Sequence, residues 1–220
     1  MKKILLLIFS LFIMAGLAFA DVIPAYKDSI KYYGIGTLNM VNNFVVYDEP
    51  NEQSRVLKRV DYSTLENLAM FNVRSCIDNT LIAYIPQNKI ALVAVDSNLE
   101  TGWYEIIYDQ STGATGYVKQ EDAQNFRTWK QTFEYWGKKN GIYLFKDVAD
   151  EDKQMYSTDS KESQKLESFK YPRFITFSMI RGNWALVSVL DLEQRAKIGW
   201  IPWRTEEGRL LAFPFFSEQQ

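Results

Sequence analysis

The chain contains no histidine among its 220 residues, and this absence excludes several kinds of catalytic and metal-binding site. Without an imidazole there is no Ser-His or Cys-His nucleophile pair, no histidine-ligated zinc and no imidazole general base. The common exported hydrolases depend on such groups, so the sequence excludes them. Carboxylates are left as the groups for acid–base chemistry, and no cofactor is expected.

Cysteine is almost absent too, because Cys76 is the only thiol in the sequence. No intramolecular disulfide can form, so stability has to come from the burial of apolar side chains. The composition allows this, with 47% hydrophobic and 15% aromatic residues. A lone thiol is a core residue, an intermolecular crosslink or a nucleophile, and the neighbours Val73 and Ile77 favour the core.

A long apolar run occurs only at the beginning of the chain. Two lysines precede an apolar stretch that begins at Ile4, and the small residues of the pattern Ala18-x-Ala20 close it. This pattern is typical of a secretory signal peptide over residues 1–20, cleaved after Ala20. The protein is therefore predicted to be exported, to the periplasm, the cell envelope or the outside of the cell.

An uncleaved membrane anchor is the alternative for the same segment. Residues 4–20 make 17 positions, and a membrane-spanning helix needs roughly 17 to 25. Cleavage after Ala20 would remove the whole segment, and no comparable run follows, so no membrane span is expected afterwards. A lipoprotein is not expected, since no cysteine follows the apolar run.

Basic residues are not in excess. Residues 21–220 contain 23 basic and 27 acidic side chains, which gives a net charge of −4. A nucleic-acid-binding domain needs clustered lysine and arginine on a basic surface, so nucleic acid is not an expected partner. The 200 residues fit one or two domains.

The first half of the chain shows a β pattern. Residues 21–43 form a lead-in segment without an assigned role, and residues 44–47 form a short strand that ends at a polar turn with Pro50. Apolar and aromatic runs at 90–95 and 103–108, followed by Gly116-Tyr117-Val118, are separated by turn-forming residues. They predict a three-stranded meander.

The second half repeats this order. A short β run at 142–145 is followed by a polar, acidic stretch to about residue 168. Strands are then predicted at 174–179, 184–189 and 197–201, again separated by turn residues. Two units about eighty residues apart explain this repetition most simply.

A helical period separates the two halves. Phe126, Trp129, Phe133 and Trp136 are spaced three, four and three residues apart, which places them on one face of a helix. The predicted helix covers residues 120–140, with Asp122 as its cap. Its aromatic face is expected to pack between the two domains.

The turns around two tryptophans carry the internal repeat. Trp103 precedes Gly116-Tyr117-Val118 by 13 residues, and Trp184 precedes Gly199-Trp200-Ile201 by 15. Gly102 directly precedes Trp103, and Gly182 lies two residues before Trp184. With these glycines, the order resembles the bacterial SH3-type domain, and the first unit has one residue fewer before its tryptophan. The predicted fold is all-β, with two tandem SH3-like small β-barrels joined by a short amphipathic helix. The domains are 44–119, with an insertion at about 61–89 that typical members lack, and 141–216 with its C-terminal tail.

The resemblance implies binding rather than catalysis. Such modules attach exported proteins to peptidoglycan or to an envelope protein or peptide. Four aromatics beside the long loops are the candidate ligand contacts, and they are expected to be exposed: Tyr47, Tyr104, Tyr117 and Trp203. Five residues form the structural signature: Trp103, Gly116, Trp184, Gly199 and Trp200. Trp103 and Trp184 are expected to fill the barrel interiors, with ligand contact as the alternative.

Two other function classes stay open. A carboxylate-dependent hydrolase would draw on the densest acidic cluster, which the sequence otherwise suggests is a solvated loop: Asp147, Asp150, Glu151 and Asp152. A structural subunit of an envelope complex would need a broad exposed apolar patch, for which residues 213–216 are the candidate.

Overall fold

A computed structural model describes residues 30–63, 79–85, 90–99, 102–168, 175–190 and 195–215. The architecture is mostly β with one short helix, so the predicted all-β class is confirmed. The strands are β1 (Gly36–Met40), β2 (Phe44–Tyr47), β3 (Val56–Val60), β4 (Ala83–Ile85), β5 (Ile90–Leu99), β6 (Trp103–Asp109), β7 (Ala114–Lys119), β8 (Ala123–Thr128), β9 (Ile142–Leu144), β10 (Gln154–Tyr156), β11 (Lys165–Ser168), β12 (Thr176–Arg181), β13 (Trp184–Leu190), β14 (Ala196–Pro202) and β15 (Ala212–Pro214).

The first sheet has the strand order β3-β2-β7-β6-β5-β1-β8, and β4 pairs with β5 beside it. All of its pairings are antiparallel, and the meander β5-β6-β7 is the one predicted from the turns. Strand β5 is buried on both faces because it carries apolar residues at consecutive positions. Ala91, Val93 and Val95 enter one core, while Leu92 and Ala94 enter another.

The prediction that residues 21–43 are only a lead-in is wrong for their last part. Strand β1 lies inside the first sheet, between β5 and β8. Its apolar side chains Leu38 and Met40 are buried in the core of that sheet. The segment was hard to recognise as a strand because it is short and its pairing partners are more than fifty residues away.

The second sheet has the order β11-β10-β14-β13-β12, and β9 pairs with β15 in a small sheet of its own. A single bridge from Ile142 of β9 to Ile175 connects the small sheet to the residue before β12. The predicted meander β12-β13-β14 is present. Phe213 in β15 is buried, so this member of the predicted apolar patch at 213–216 is not exposed.

The helix is shorter than predicted. Residues Gln120–Asp122 form a single 3-10 turn and the next six residues form β8, so the helix α1 begins at Trp129. It has an α-helical first turn (Trp129–Thr132), a π-helical middle (Phe133–Gly137) and an α-helical end (Lys138–Asn140). Thr128 rather than Asp122 caps the helix, through a capping box with Gln131.

Two cores support this arrangement. One, the inner core, is formed mostly by side chains of the first sheet and includes Phe44, Val46 and Ile106. The other is shared, because Leu92 and Ala94 of the first sheet pack in the same cluster as the second sheet and α1. Burial of the aromatic face of α1 in this cluster agrees with the predicted packing role of Trp129 and Phe133.

Hydrogen bonds also cross between the first sheet and the elements after it. The buried hydroxyls of Thr37 in β1 and Thr132 in α1 are 2.8 Å apart. The indole Nε1 of Trp129 donates to the carbonyl of Tyr33 at 2.9 Å. Buried polar bonds of this kind fix orientation, because leaving either partner unpaired is costly. The helix is therefore bonded to the first sheet and packed on the second.

The turn between β6 and β7 gives a pH-dependent prediction. The Asp109 carboxylate accepts from the Ser111 amide at 2.8 Å, and hydrogen bonds from the Ser111 side chain and amide lower the pKa of Asp109. A lowered pKa stabilises the fold above about pH 4 and loses that contribution as the pH falls through the folded-state value. These hydrogen bonds are exposed, so solvent screens them, and Asp109→Asn should cost under about 0.5 kcal/mol at pH 7 and nothing once the Asp109 carboxyl is protonated. Thermal melts of the wild-type protein and of Asp109→Asn, recorded from neutral to acid pH, check this. A stability difference between the two proteins that does not change with pH would contradict it.

Several predicted features lie outside the described residues: the signal peptide with Ala20, most of the insertion at 61–89, Cys76 and Phe216. Among the described residues, no helix has the length and apolar character that a membrane crossing requires.

Candidate binding surfaces

An aromatic pair on the first meander forms the centre of the first candidate surface. The rings of Tyr47 in β2 and Trp103 in β6 meet edge to face, with centroids 5.6 Å apart and an interplanar angle of 90°. Tyr117 of β7 pairs with Tyr47 across the strands and is half-buried beside it. These three residues, the Tyr–Trp shelf of the first sheet, lie on the side of the meander opposite its inner core.

Strand alternation explains why the shelf faces outward. In β6, Tyr104 and Ile106 point into the inner core, so Trp103 and Glu105 point to the other face. The shared core covers Ile107 on that face, but the end of the strand that carries Trp103 is left open. The expectation that Trp103 fills a barrel interior is therefore wrong.

The second sheet has an equivalent pair. Tyr156 in β10 and Trp184 in β13 meet edge to face, with centroids 5.5 Å apart and an angle of 87°. Tyr156 pairs with Trp200 just as Tyr47 pairs with Tyr117. Trp184 is also half-buried and points away from the core that Ala185 and Val187 enter. Its predicted interior position is wrong for the same reason.

The two signature glycines occupy the same register position. Gly116 lies opposite Ile106 and Gly199 opposite Val187, and each of these partners comes three residues after its tryptophan. A Cβ at Gly116 would lie 2.6 Å from Val46 Cγ1, and one at Gly199 would lie 2.7 Å from the Tyr156 carbonyl oxygen. Glycine lets the crossing strand approach closely in both units. This close approach places Tyr47 against Trp103 and Tyr156 against Trp184.

Acidic groups surround the first shelf. Glu105 accepts hydrogen bonds from Ser97 at 2.8 Å and Thr115 at 2.9 Å. Burial, together with the negative charges of Glu105 and Glu49, raises the pKa of Tyr117. The phenol therefore stays protonated at neutral pH and can donate a hydrogen bond.

One cation lies at the edge of this shelf. Lys119 forms ion pairs with Glu52 at 2.7 Å and Glu121 at 3.2 Å, and these hydrogen bonds raise its pKa. Both carboxylates are largely exposed, so the pairs hold the lysine in place more than they stabilise the fold. The ammonium connects the β2–β3 loop to the 3-10 turn that follows β7.

The second Tyr–Trp shelf, which consists of Tyr156, Trp184 and Trp200, carries a cation stacked on an aromatic ring. The Arg181 guanidinium lies 4.9 Å from the ring centroid of Trp200 and is 3.4 Å from Asp159. Tyr156 and Trp200 are buried there, whereas Tyr47 and Tyr117 are half-buried. The first shelf is therefore the more open and the more acidic of the two.

Two of the four candidate ligand contacts are not exposed. Tyr104 is buried and its ring stacks on Phe126, with centroids 5.9 Å apart. Trp203 is 2% exposed, donates from Nε1 to the Gly182 carbonyl at 2.9 Å and packs against Phe133. The predicted exposure of both residues is wrong, while Tyr47 and Tyr117 remain predicted contacts.

Three of the four acids of the predicted cluster form separate ion pairs. Asp147 bonds to Arg209, Asp150 is 3.3 Å from Lys153, and Asp152 is 2.7 Å from Lys161. Opposite charges rather than other carboxylates are thus the close partners of these acids. Nothing in these pairs arranges two carboxylates around a shared substrate.

A scan against protein-family models and a search of curated proteins returned no match for this chain. The two surfaces are therefore interpreted from their own geometry.

Proposed function

We propose that this chain is an exported, non-enzymatic binding protein of the bacterial cell envelope, with two SH3-like barrels. Its ligand is peptidoglycan or an extended peptide of an envelope protein, held on the Tyr–Trp shelves. Export rests on the apolar run and the Ala-x-Ala pattern in residues 1–20. The repetition of an edge-to-face Tyr–Trp pair at equivalent positions of the two sheets carries the binding proposal.

The strand pairings support two units of one type. In the first half, β1 pairs with β5, which opens the meander, and with β8, which follows it. In the second half, β9 pairs with β15 and reaches the start of β12 through one bridge. The hairpins β2-β3 and β10-β11 join the last strand of each meander in the same way. These repeated pairings are the support for two SH3-like units.

The chemistry of the shelves favours an extended ligand. On the first shelf, the half-buried aromatic faces can bind sugar rings or peptide groups by contact, and the Tyr117 hydroxyl and Glu105 offer hydrogen bonds beside them. No covalent step is needed for such a role. A carboxylate hydrolase is less well supported, since three of the four predicted acids form separate ion pairs with lysine or arginine.

The experiment is a retention assay with residues 21–220 on purified peptidoglycan and, in parallel, on solubilised envelope proteins. Trp103→Leu and Trp184→Leu remove one shelf each and serve as matched controls for one another. We expect at least one of these two variants to lose about tenfold in retention on the ligand, because substitution of a central aromatic contact has effects of this size. Wild-type retention by both single variants and by the double variant would contradict the proposal.

A structural subunit is the second candidate, favoured by an apolar face on the second meander. Met179, Leu190 and Ile198 are 40%, 53% and 64% exposed. In the first sheet, Ser97 and Thr115 occupy positions equivalent to Met179 and Ile198 and bond to Glu105. Ile198→Glu should abolish capture of a discrete envelope protein and leave retention on peptidoglycan unchanged.

A further inference from the structure

A separate shallow concavity of about 450 Å³, largely open to solvent, lies where β8 meets α1. None of the Tyr–Trp shelf residues lines it. Six side chains form its walls: Asn125, Phe126, Arg127, Gln131, Glu134 and Tyr135. Three come from the strand and three from the helix, so both walls belong to regular elements.

A bulge in β8 shapes the strand wall. Thr37 pairs with Arg127 and Asn39 with Gln124, so two residues of β8 oppose the single residue between them in β1. The first of the two, Asn125, has a positive φ of 56°. Bulges redirect side chains, and here the bulge lies just before Arg127. Phe126 packs on Tyr104, which holds this wall against the inner core.

The helix wall follows from helical spacing. Glu134 and Tyr135 follow Gln131 by three and four residues, so all three project from the side of α1 that lines the concavity. Gln131 uses its Oε1 to accept from the Thr128 amide at 2.9 Å. This bond orients the side chain, and its Nε2 is left as a donor without a partner among the described residues.

The concavity contains one cation and one anion that are not paired with each other. The Arg127 guanidinium stacks on the Tyr135 ring at 4.2 Å and gives one long bond, from Nη1 to the Asn125 carbonyl at 3.4 Å. Arginine has five N–H donors, so most of its capacity is unused. Glu134 makes no hydrogen bond or ion pair with any residue that the structure describes.

We propose that this concavity binds a zwitterionic α-amino acid. The ligand carboxylate pairs with Arg127 and accepts from Gln131 Nε2, and its ammonium group pairs with Glu134. The rings of Phe126 and Tyr135 bound the space for an apolar side chain. Glu134 would repel a ligand that carries only a negative charge, and Arg127 would repel one that carries only a positive charge. A ligand with both charges therefore fits best.

The test uses ¹⁵N-labelled protein purified after export and three related probes: L-leucine, N-acetyl-L-leucine and L-leucinamide. We expect saturable amide shifts at Arg127, Gln131 and Glu134 with L-leucine. Each blocked derivative should bind at least ~tenfold more weakly, because one charge pair is missing. These wild-type titrations need no variant and decide the question even if a variant fails to fold.

Two substitutions assign the charges. Glu134→Gln should weaken L-leucine about tenfold but should not weaken N-acetyl-L-leucine, because the acetylated probe has no ammonium group and is repelled by the Glu134 carboxylate. Arg127→Gln should likewise weaken L-leucine but not L-leucinamide, which has no carboxylate and is repelled by the guanidinium. The proposal is overturned if L-leucine gives no saturable shift at these residues or if a blocked derivative binds as tightly as L-leucine.

Discussion

Replacing Gly34 by alanine is expected to destabilise the fold by about 4 kcal/mol or more. Gly34 has a positive φ of 55°, and a Cβ there would lie 2.0 Å from the Val95 carbonyl oxygen. That oxygen also accepts the Ile35 amide at 2.7 Å, so the clash would break the hydrogen bond that leads into β1. The free energy of unfolding, measured by urea titration, checks the prediction.

Gly182 provides a matched control. Its φ is also 55°, but no atom lies within 4 Å of the Cβ position. Gly182→Ala should therefore cost only the backbone strain, about 1–2 kcal/mol. The difference between the two variants isolates the close approach of Gly34 to β5. Equal losses in the free energy of unfolding would mean that the contact of the new Cβ with the Val95 carbonyl oxygen has no steric cost, which would contradict the prediction.

The second large effect is expected at the shared core. Phe133 in α1 is fully buried and contacts the rings of Phe177 and Trp203 at centroid distances of 5.7 and 5.2 Å. Phe133→Ala should cost about 3–5 kcal/mol, because the cavity lies among rigid aromatic neighbours. Unfolding is expected to remain a single transition, since Leu92 and Ala94 of the first sheet share this core.

Tyr135 is the control on the same helix, because it is also aromatic but 55% exposed. Tyr135→Ala should cost under about 1 kcal/mol. Coincident urea curves from near-ultraviolet and far-ultraviolet circular dichroism would support one cooperative unit. Two separated transitions in the wild-type protein would show that the sheets unfold independently.

The meanders were predictable because their signals are local. Each strand of β5-β6-β7 is a run of β-branched and aromatic residues, and each turn contains glycine or polar residues at the right distance. Trp103 and Trp184 fall at the same register position of equivalent hairpins, so the repeat was visible in the spacing of tryptophan and glycine.

The elements that close the first sheet were not predictable in this way. Strands β1 and β8 pair with each other across more than eighty residues, and neither has a strong pattern of its own. The aromatic spacing from Phe126 to Trp136 continues through a strand and a helix, so its period suggested one long helix. Tertiary pairing decided where the helix begins.

The candidate contacts depended on which face each side chain takes. Trp103 and Tyr104 are neighbours in one strand, so they must point to opposite faces. The prediction placed the tryptophan inside and the tyrosine outside, and the structure has the reverse. One residue of register separates the two interpretations. Composition and spacing do not fix that register, whereas the pairing with β7 does.

The shared core sets the distance between the two Tyr–Trp shelves. Leu92 and Ala94 pack with α1 in one core, so among the described residues the two shelves are held at a fixed distance. A ligand that touches both shelves gains from effective concentration only if its own binding groups repeat at that fixed interval. Under the proposed function, the fixed distance between the shelves would select polymers by the spacing of their repeats as well as by their chemistry.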